Sequence, residues 1–181
     1  TQSTDNRGRG AWYQGVKLSL FDVSDPSQPS EINSIVLGKR GTESDVLYDF
    51  HALAYLPPND VRGARLAIPV TLNEHVLPDR IELDITEPAE TTNTNTHPST
   101  WYGPTHKGLY LFDINVTGDI GIKQQGKIIS QQAKIDQNQW PFFEQRTNLG
   151  RTDRAVLKGD NVFYIHGTEV TPRNWSELGT D

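Results

Sequence analysis

The sequence predicts an all-β fold, and three observations carry that expectation. Apolar residues alternate with polar ones over short runs, as in Val16-Lys-Leu18-Ser-Leu20, which is the two-residue period of a half-buried strand. Turn formers separate the runs at close intervals: Ser24-Asp-Pro26-Ser-Gln-Pro29, Gly38-Lys-Arg-Gly41, Pro57-Pro58-Asn59-Asp60 and Gly159-Asp160-Asn161. Proline cannot donate to a ladder and glycine accepts positive φ, so each cluster ends a strand. Finally, no segment of a dozen residues sustains the 3.6-residue period of an amphipathic helix.

The elements follow in order. Residues 1–10 are polar and Gly-rich and read as a flexible leader. Strands are expected at 16–22 and 31–37, then at 49–56 with its hairpin partner 65–70. Residues 71–107 break the pattern: Thr91-Thr-Asn-Thr-Asn-Thr-His97-Pro98 is of low complexity, and only Ile81, Leu83 and Ile85 alternate with acids. This stretch is expected to be a long loop insertion with room for one short strand. Strands return at 108–114, 122–129 and 153–158. Gly159-Asp160-Asn161 then turns the chain into a strand at 162–165, a strong hairpin signal.

Part of the chain repeats. Leu20-Phe21-Asp22-Val23 reappears as Leu111-Phe112-Asp113-Ile114, 91 residues later. A turn and an apolar strand follow each copy, and the hairpins at 52–70 and 155–165 correspond in the same way. The spacing is about twice the 40–50 residues of a propeller blade, and removing 71–107 brings it near one blade. The predicted architecture is therefore an incomplete β-propeller of four-stranded antiparallel blades, about two blades' worth. A half blade is expected at 16–37, a full blade at 49–130 and a half blade at 153–181, all within one propeller segment, 11–181. Propellers need about four or more blades. The chain is thus expected to meet the rest of its own propeller, or other copies, to close a ring. The absence of Met gives the same expectation, a fragment of a longer protein.

The run from Gly15 to Pro26 resembles bacterial and archaeal secreted proteins with a C-terminal β-propeller distantly related to WD repeats. Leu37-Gly-Lys-Arg-Gly-Thr-Glu-Ser44, Leu47-Tyr-Asp-Phe-His-Ala52, Leu66-Ala-Ile-Pro-Val70, Leu109 to Asp113 and Arg154 to Ile165 carry the likeness further. The resemblance implies a secreted or periplasmic domain and no particular activity.

Composition narrows the function classes. Hydrophobic residues make up 34% and charged residues 22% of the 181-residue chain. No apolar run approaches the roughly 20 residues of a membrane-spanning helix. The absence of Cys removes disulfides, thiolate metal sites and thiol nucleophiles. A net charge of −6 argues against a nucleic-acid partner, since phosphate binding needs clustered Lys and Arg.

Candidate sites are few. Asp113-Ile-Asn115-Val-Thr117-Gly118-Asp119 places oxygen ligands at alternate positions, as a Ca²⁺ loop does, but Gln124 stands where such a loop has Glu. A hairpin turn around Gly118 explains the same residues, so Ca²⁺ is the only cofactor in view and the turn is favoured. His75, His97 and His106 lie near Glu74, Glu82, Asp84 and Glu87, at spacings that match no metal-ligand pattern; solvated loop positions are expected. Ser44, His51 and Asp45 lie close in sequence but without a nucleophile elbow. A polar turn is expected there.

The stronger hint is aromatic. Trp101, Tyr102, Trp140, Phe142 and Phe143 fall in expected loops stiffened by Pro104 and Pro141. Such rings either anchor a sugar or protein ligand or fold back onto the core. The leading expectation is a non-catalytic protein- or glycan-binding module. The alternative is an enzyme domain with acidic and His residues, with or without a metal, gathered at the propeller channel.

Overall fold

The computed structural model describes residues 2–4, 11–76, 99–136, 139–143 and 153–178. Strands β1 (Gln2–Thr4) and β2 (Ala11–Tyr13) pair with each other, and β3 (Val16–Asp22) pairs with β4 (Ser30–Leu37). Next come β5 (Glu43–Ser44), β6 (Ala54–Leu56), β7 (Ala64–His75), β8 (Gly103–Asn115) and β9 (Gly121–Gln132). A short hairpin, β10 (Lys134–Asp136) with β11 (Gln139–Phe142), precedes β12 (Arg154–Lys158), β13 (Asn161–His166) and β14 (Glu169–Asn174). Three single-turn 3₁₀ helices, Asp45–Leu47, Phe50–Ala52 and Trp175–Glu177, are the only helical pieces among the described residues.

The central sheet is an antiparallel meander. β5 and β6 share one edge of β7, and β8 and β9 follow in order. That is one four-position blade. On one side of it lies the two-stranded β3–β4 sheet, and on the other the three-stranded β12–β13–β14 sheet.

Two-residue alternation gives the central blade two apolar faces. Leu66, Ile68, Val70, Leu72, Tyr110 and Phe112 pack with Val16 and Leu37 of β3–β4. Ala67, Leu109, Leu111 and Ile128 pack with Val162 and Tyr164 of the following sheet and with Trp175 of the 3₁₀ turn after it. Leu109, Leu111 and Phe112 are completely buried. Each such side chain stabilises the stack by about 1.5–3 kcal/mol through loss of apolar surface to water. A strand read at two-residue period from the sequence is thus buried on both faces, because it sits between two other blades.

The repeated tetrapeptide has a structural counterpart. The β3–β4 register shifts between Leu20 and Phe21, and the β8–β9 register shifts between Leu111 and Phe112. Each copy therefore carries a β-bulge at the same step. The unpaired extra residue is Ile32 in β4 and Gln125 in β9. β3 and β4 thus match β8 and β9, the third and fourth positions of the central sheet.

Polar ties cross between blades. Asn33 Oδ1 accepts from the Ile122 backbone at 2.9 Å, joining β4 to β9. Arg65 of β7 donates through Nη1 to Gly159 O (2.7 Å) and through Nη2 to Asp160 Oδ1 (2.9 Å) at the β12–β13 turn. Its guanidinium lies 4.8 Å above the Trp175 ring, whose Nε1 donates to Asp113 Oδ1 at 3.0 Å. Arg154 pairs with Asp49.

Several expectations change. Within the expected leader 1–10, Gln2–Thr4 pairs with Ala11–Tyr13. The insertion 71–107 is shorter than it reads, because the β7–β8 ladder runs on to the His75–Gly103 pair. The expected strand 49–56 begins as the 3₁₀ turn Phe50–Ala52, with Asp49 accepting from the His51 backbone, and only Ala54–Leu56 is extended. The final half blade has a third strand, β14. The possible strand at 81–85 lies outside the described residues.

Candidate functional site

The chain's aromatic surface centres on the turn from β4 to β5. Gly38 (φ 63°) and Gly41 (φ 106°) take backbone conformations that side-chain-bearing residues rarely adopt, and they bracket Arg40. The turn is pinned on two sides. The Lys39 amide donates to Asn73 O (2.9 Å), and the Thr42 hydroxyl exchanges bonds with the Asn73 backbone. The Tyr102 amide donates to Arg40 O (3.1 Å), and Asn73 Nδ2 donates to Tyr102 O (2.8 Å).

Held this way, the Arg40 guanidinium lies 4.2 Å above the Trp12 ring and 4.4 Å above the Trp101 ring. Its Nη1 donates to the Ser99 carbonyl. A groove of about 560 Å³ opens beside it, lined by Trp12, Tyr13, Lys17, Arg40, Tyr48 and Trp101 among others. That volume lies within the roughly 300–1,000 Å³ range of ligand pockets. Tyr13 is 72% exposed, Tyr48 58% and Trp101 55%. Among the described residues, the charged side chains in the lining are Lys17, Arg40 and Glu43. Lys17 bonds Glu31 at 2.5 Å, and that bond, with one from Ser19, lowers the Glu31 carboxyl below its ordinary value.

The expected binding aromatics are spread over several elements. Trp101 lines the groove, but Tyr102 is buried at 9% exposure and serves as an anchor for the Arg40 turn. Trp140 and Phe142 belong to β11 rather than to a loop. Phe142 is 40% exposed, and Phe143 lies under the Lys107 ammonium, 5.2 Å from the ring centroid. Neither Phe142 nor Phe143 lines the groove.

Sequence reasoning missed Trp12, Tyr13, Arg40 and Tyr48. A signal was present: Trp12-Tyr13 and Trp101-Tyr102 are the same dipeptide, each just ahead of the repeated Leu-Phe-Asp strand. The groove brings Trp12 and Tyr13 of the first dipeptide together with Trp101 of the second. In the first pair the Tyr is exposed, and in the second it is buried.

The Ca²⁺-loop residues are placed as follows. Asp113 and Asn115 end β8, with Asp113 Oδ1 taken by Trp175 Nε1 and facing Arg65 Nε at 3.8 Å. Thr117 and Asp119 are exposed in the turn, where Gly118 adopts φ 71°. Among the described residues, no three His, Asp or Glu side chains are grouped to hold a metal ion.

The histidines diverge from expectation. His106 is buried in β8 rather than solvated in a loop, with Nε2 2.8 Å from Tyr110 Oη. Burial lowers the His106 imidazole and pushes the Tyr110 phenol up to about 12. His75 ends β7. Glu82, Asp84, Glu87 and His97 lie outside the described residues. His51 lies on the surface beside Asp49. His166 Nδ1 is 2.7 Å from Asp153 Oδ1, whose other oxygen accepts from Tyr164 Oη at 2.5 Å. Ser130 Oγ lies 3.2 Å from that phenol, which burial raises well above its usual range. Ser44 ends β5 rather than lying in a turn, and it caps the following 3₁₀ turn, donating to Pro69 O and accepting from the Val46 amide.

No curated protein and no solved structure matches the chain significantly. The family model described as the beta propeller domain matches residues 1–178. With its stacked antiparallel sheets and bulge-marked repeat, the chain belongs to the β-propeller domain family.

Proposed function

We propose that this chain is a non-catalytic binding module, taking a protein or glycan ligand in the groove around Arg40. One observation carries the reading: large rings stand exposed around a cation on backbone fixed by paired turns. Rigid aromatic anchors lose little entropy on contact and contribute most of the energy at binding surfaces. The test is a titration of the protein against oligosaccharide and peptide panels, with Trp101→Ala alongside. A saturable ligand that Trp101→Ala weakens at least tenfold supports the reading, and a ligand indifferent to Trp101 removes it.

Two further features accompany this proposal. Sheets of two and three strands flank one full blade, and a propeller ring needs about four or more blades. Further blades or other copies are therefore taken to close the ring, which native mass spectrometry of the assembled protein would reveal. The secreted or periplasmic placement rests on the sequence resemblance, and cell fractionation tests it.

A catalytic reading draws on the Asp153–His166 pair, in which a carboxylate orients an imidazole. Hydrolase activity abolished by His166→Ala, with folding intact, would favour it over the binding module.

A further inference from the structure

We infer that the outer edge of β3 accepts one more polypeptide strand, apolar at alternate residues and leading into Gln2, at the position β7 holds in the central sheet; this rests on the ring-closing reading above. The starting point is the repeat. Trp101-Tyr102 and Leu111-Phe112-Asp113 begin and end the β8 stretch, as Trp12-Tyr13 and Leu20-Phe21-Asp22 do for β2 and β3. β2 and β3 together therefore answer to β8. β8 is paired along both edges, by β7 from Gly103 to Ile114 and by β9. β3 is paired along one edge, by β4, and among the described residues nothing pairs with the other. Only β2 has its counterpart neighbour: Gln2 lies opposite Tyr13 and Thr4 opposite Ala11, as His75 of β7 lies opposite Gly103. An unpaired edge presents a row of backbone donors and acceptors, which is a template for strand addition.

Two observations select the occupant. The first is direction. β1 is antiparallel to β2, so polypeptide traced back from Gln2 passes Gly15 and runs on antiparallel to Val16–Asp22. That places the strand on the N-terminal side of Gln2. It also argues against a second copy, whose edge strand β14 carries Pro172 and lacks that backbone donor. The second observation is cover. Leu109, Leu111 and Phe112 are completely buried, whereas the matching Leu18 and Leu20 are half-buried and Phe21 is 52% exposed. In the central sheet the strand beside them is β7, whose Leu66, Ile68, Val70 and Leu72 face one neighbouring sheet and Ala67 the other. The strand that fits β3 has the same two-faced apolar pattern.

The test uses the whole, unaltered chain and amide hydrogen exchange read by NMR. The probe is a synthetic peptide of the β7 sequence, Ala64–His75, standing in for the strand. In the free chain, alternate amides of Val16–Asp22 should exchange fast, because they face no partner. The peptide should bind saturably and slow those amides at least tenfold. Two analogues, N-methylated at alternate residues in opposite phase, separate ladder pairing from simple apolar contact: one of the two should bind at least tenfold more weakly. Amides of Val16–Asp22 all protected in the free chain overturn the inference, as does the absence of saturable binding. Equal binding of both analogues overturns it too, and so does protection confined to strands other than β3. Protection that grows with protein concentration and without peptide assigns the edge to a second copy and overturns the occupant. Native mass spectrometry keeps the two readings apart. A closed ring whose β3 amides ignore the peptide overturns the inference alone, and a chain that takes the peptide but joins no ring overturns the ring-closing reading alone.

Discussion

Replacing Arg65 with Ala should loosen the contact between the central blade and the β12–β13–β14 sheet. The side chain is 12% exposed and makes two hydrogen bonds, to Gly159 O and Asp160 Oδ1, while stacking over Trp175. A charge-assisted bond to a carbonyl is worth about 1.5–3 kcal/mol. The Asp160 pair is worth less than a buried one, because that carboxylate is 44% exposed. Cation–π contact adds about 0.5–2 kcal/mol. One guanidinium makes all of these contacts, so they are not additive, and the expected loss is about 2–4 kcal/mol.

For a chain of this length that corresponds to a fall in Tm of about 5–15 °C. Equilibrium denaturation in urea measures it, with Arg65→Lys recovering part of the loss. The dependence on pH is a second arm. The Asp160 carboxyl is held below its ordinary value, first by the Ser176 hydroxyl and then by Arg65. A depressed carboxylate contributes stability above its unfolded pKa, near 4, and loses it as pH falls through the folded value. The gap between wild type and Arg65→Ala should therefore hold at neutral pH and narrow below about pH 4. A loss under about 0.5 kcal/mol would refute the assignment of Arg65 as the tie between blades.

Other outcomes follow from the same structure. Leu111→Ala empties a fully buried position between two blades and should cost about 2–5 kcal/mol in urea denaturation. Burial raises the Tyr110 phenol to about 12, so stability should fall as pH rises from about 10 toward 12, and ultraviolet titration should find this tyrosine ionising late. Calorimetric titration with Ca²⁺ should give only heats of dilution, since Asp113 is already engaged by Trp175; saturable heat would restore Asp113, Asn115, Thr117 and Asp119 as ligands.

What could be read in the sequence was what repeats or alternates. β3 begins and ends where the Val16–Asp22 alternation does, and the Leu-Phe-Asp repeat marks the equivalent third strands. The bulges at those repeats were invisible, because register depends on the partner strand and leaves no mark on one strand alone. β14 gave no signal: Glu169–Asn174 is polar and contains Pro172, which pairs tolerably only near a sheet edge. Tyr102 and His106 read as loop residues because they adjoin a low-complexity stretch, yet the β7–β8 ladder carries them into the core. The groove was half legible. Trp101 stood out by composition, whereas Trp12 comes within reach of it, across 89 residues, only through the tertiary fold around Arg40.

The most direct test of the binding groove uses ¹⁹F NMR of the protein labelled with 5-fluorotryptophan. Trp12 and Trp101 flank Arg40, while Trp175 is buried between blades at 2% exposure and serves as the internal reference. A ligand should shift the Trp12 and Trp101 resonances together and leave Trp175 in place. Ligand-dependent shifts confined to Trp175, or no shift at Trp12 and Trp101 with any saturating ligand, would contradict the assignment of this groove as the binding site.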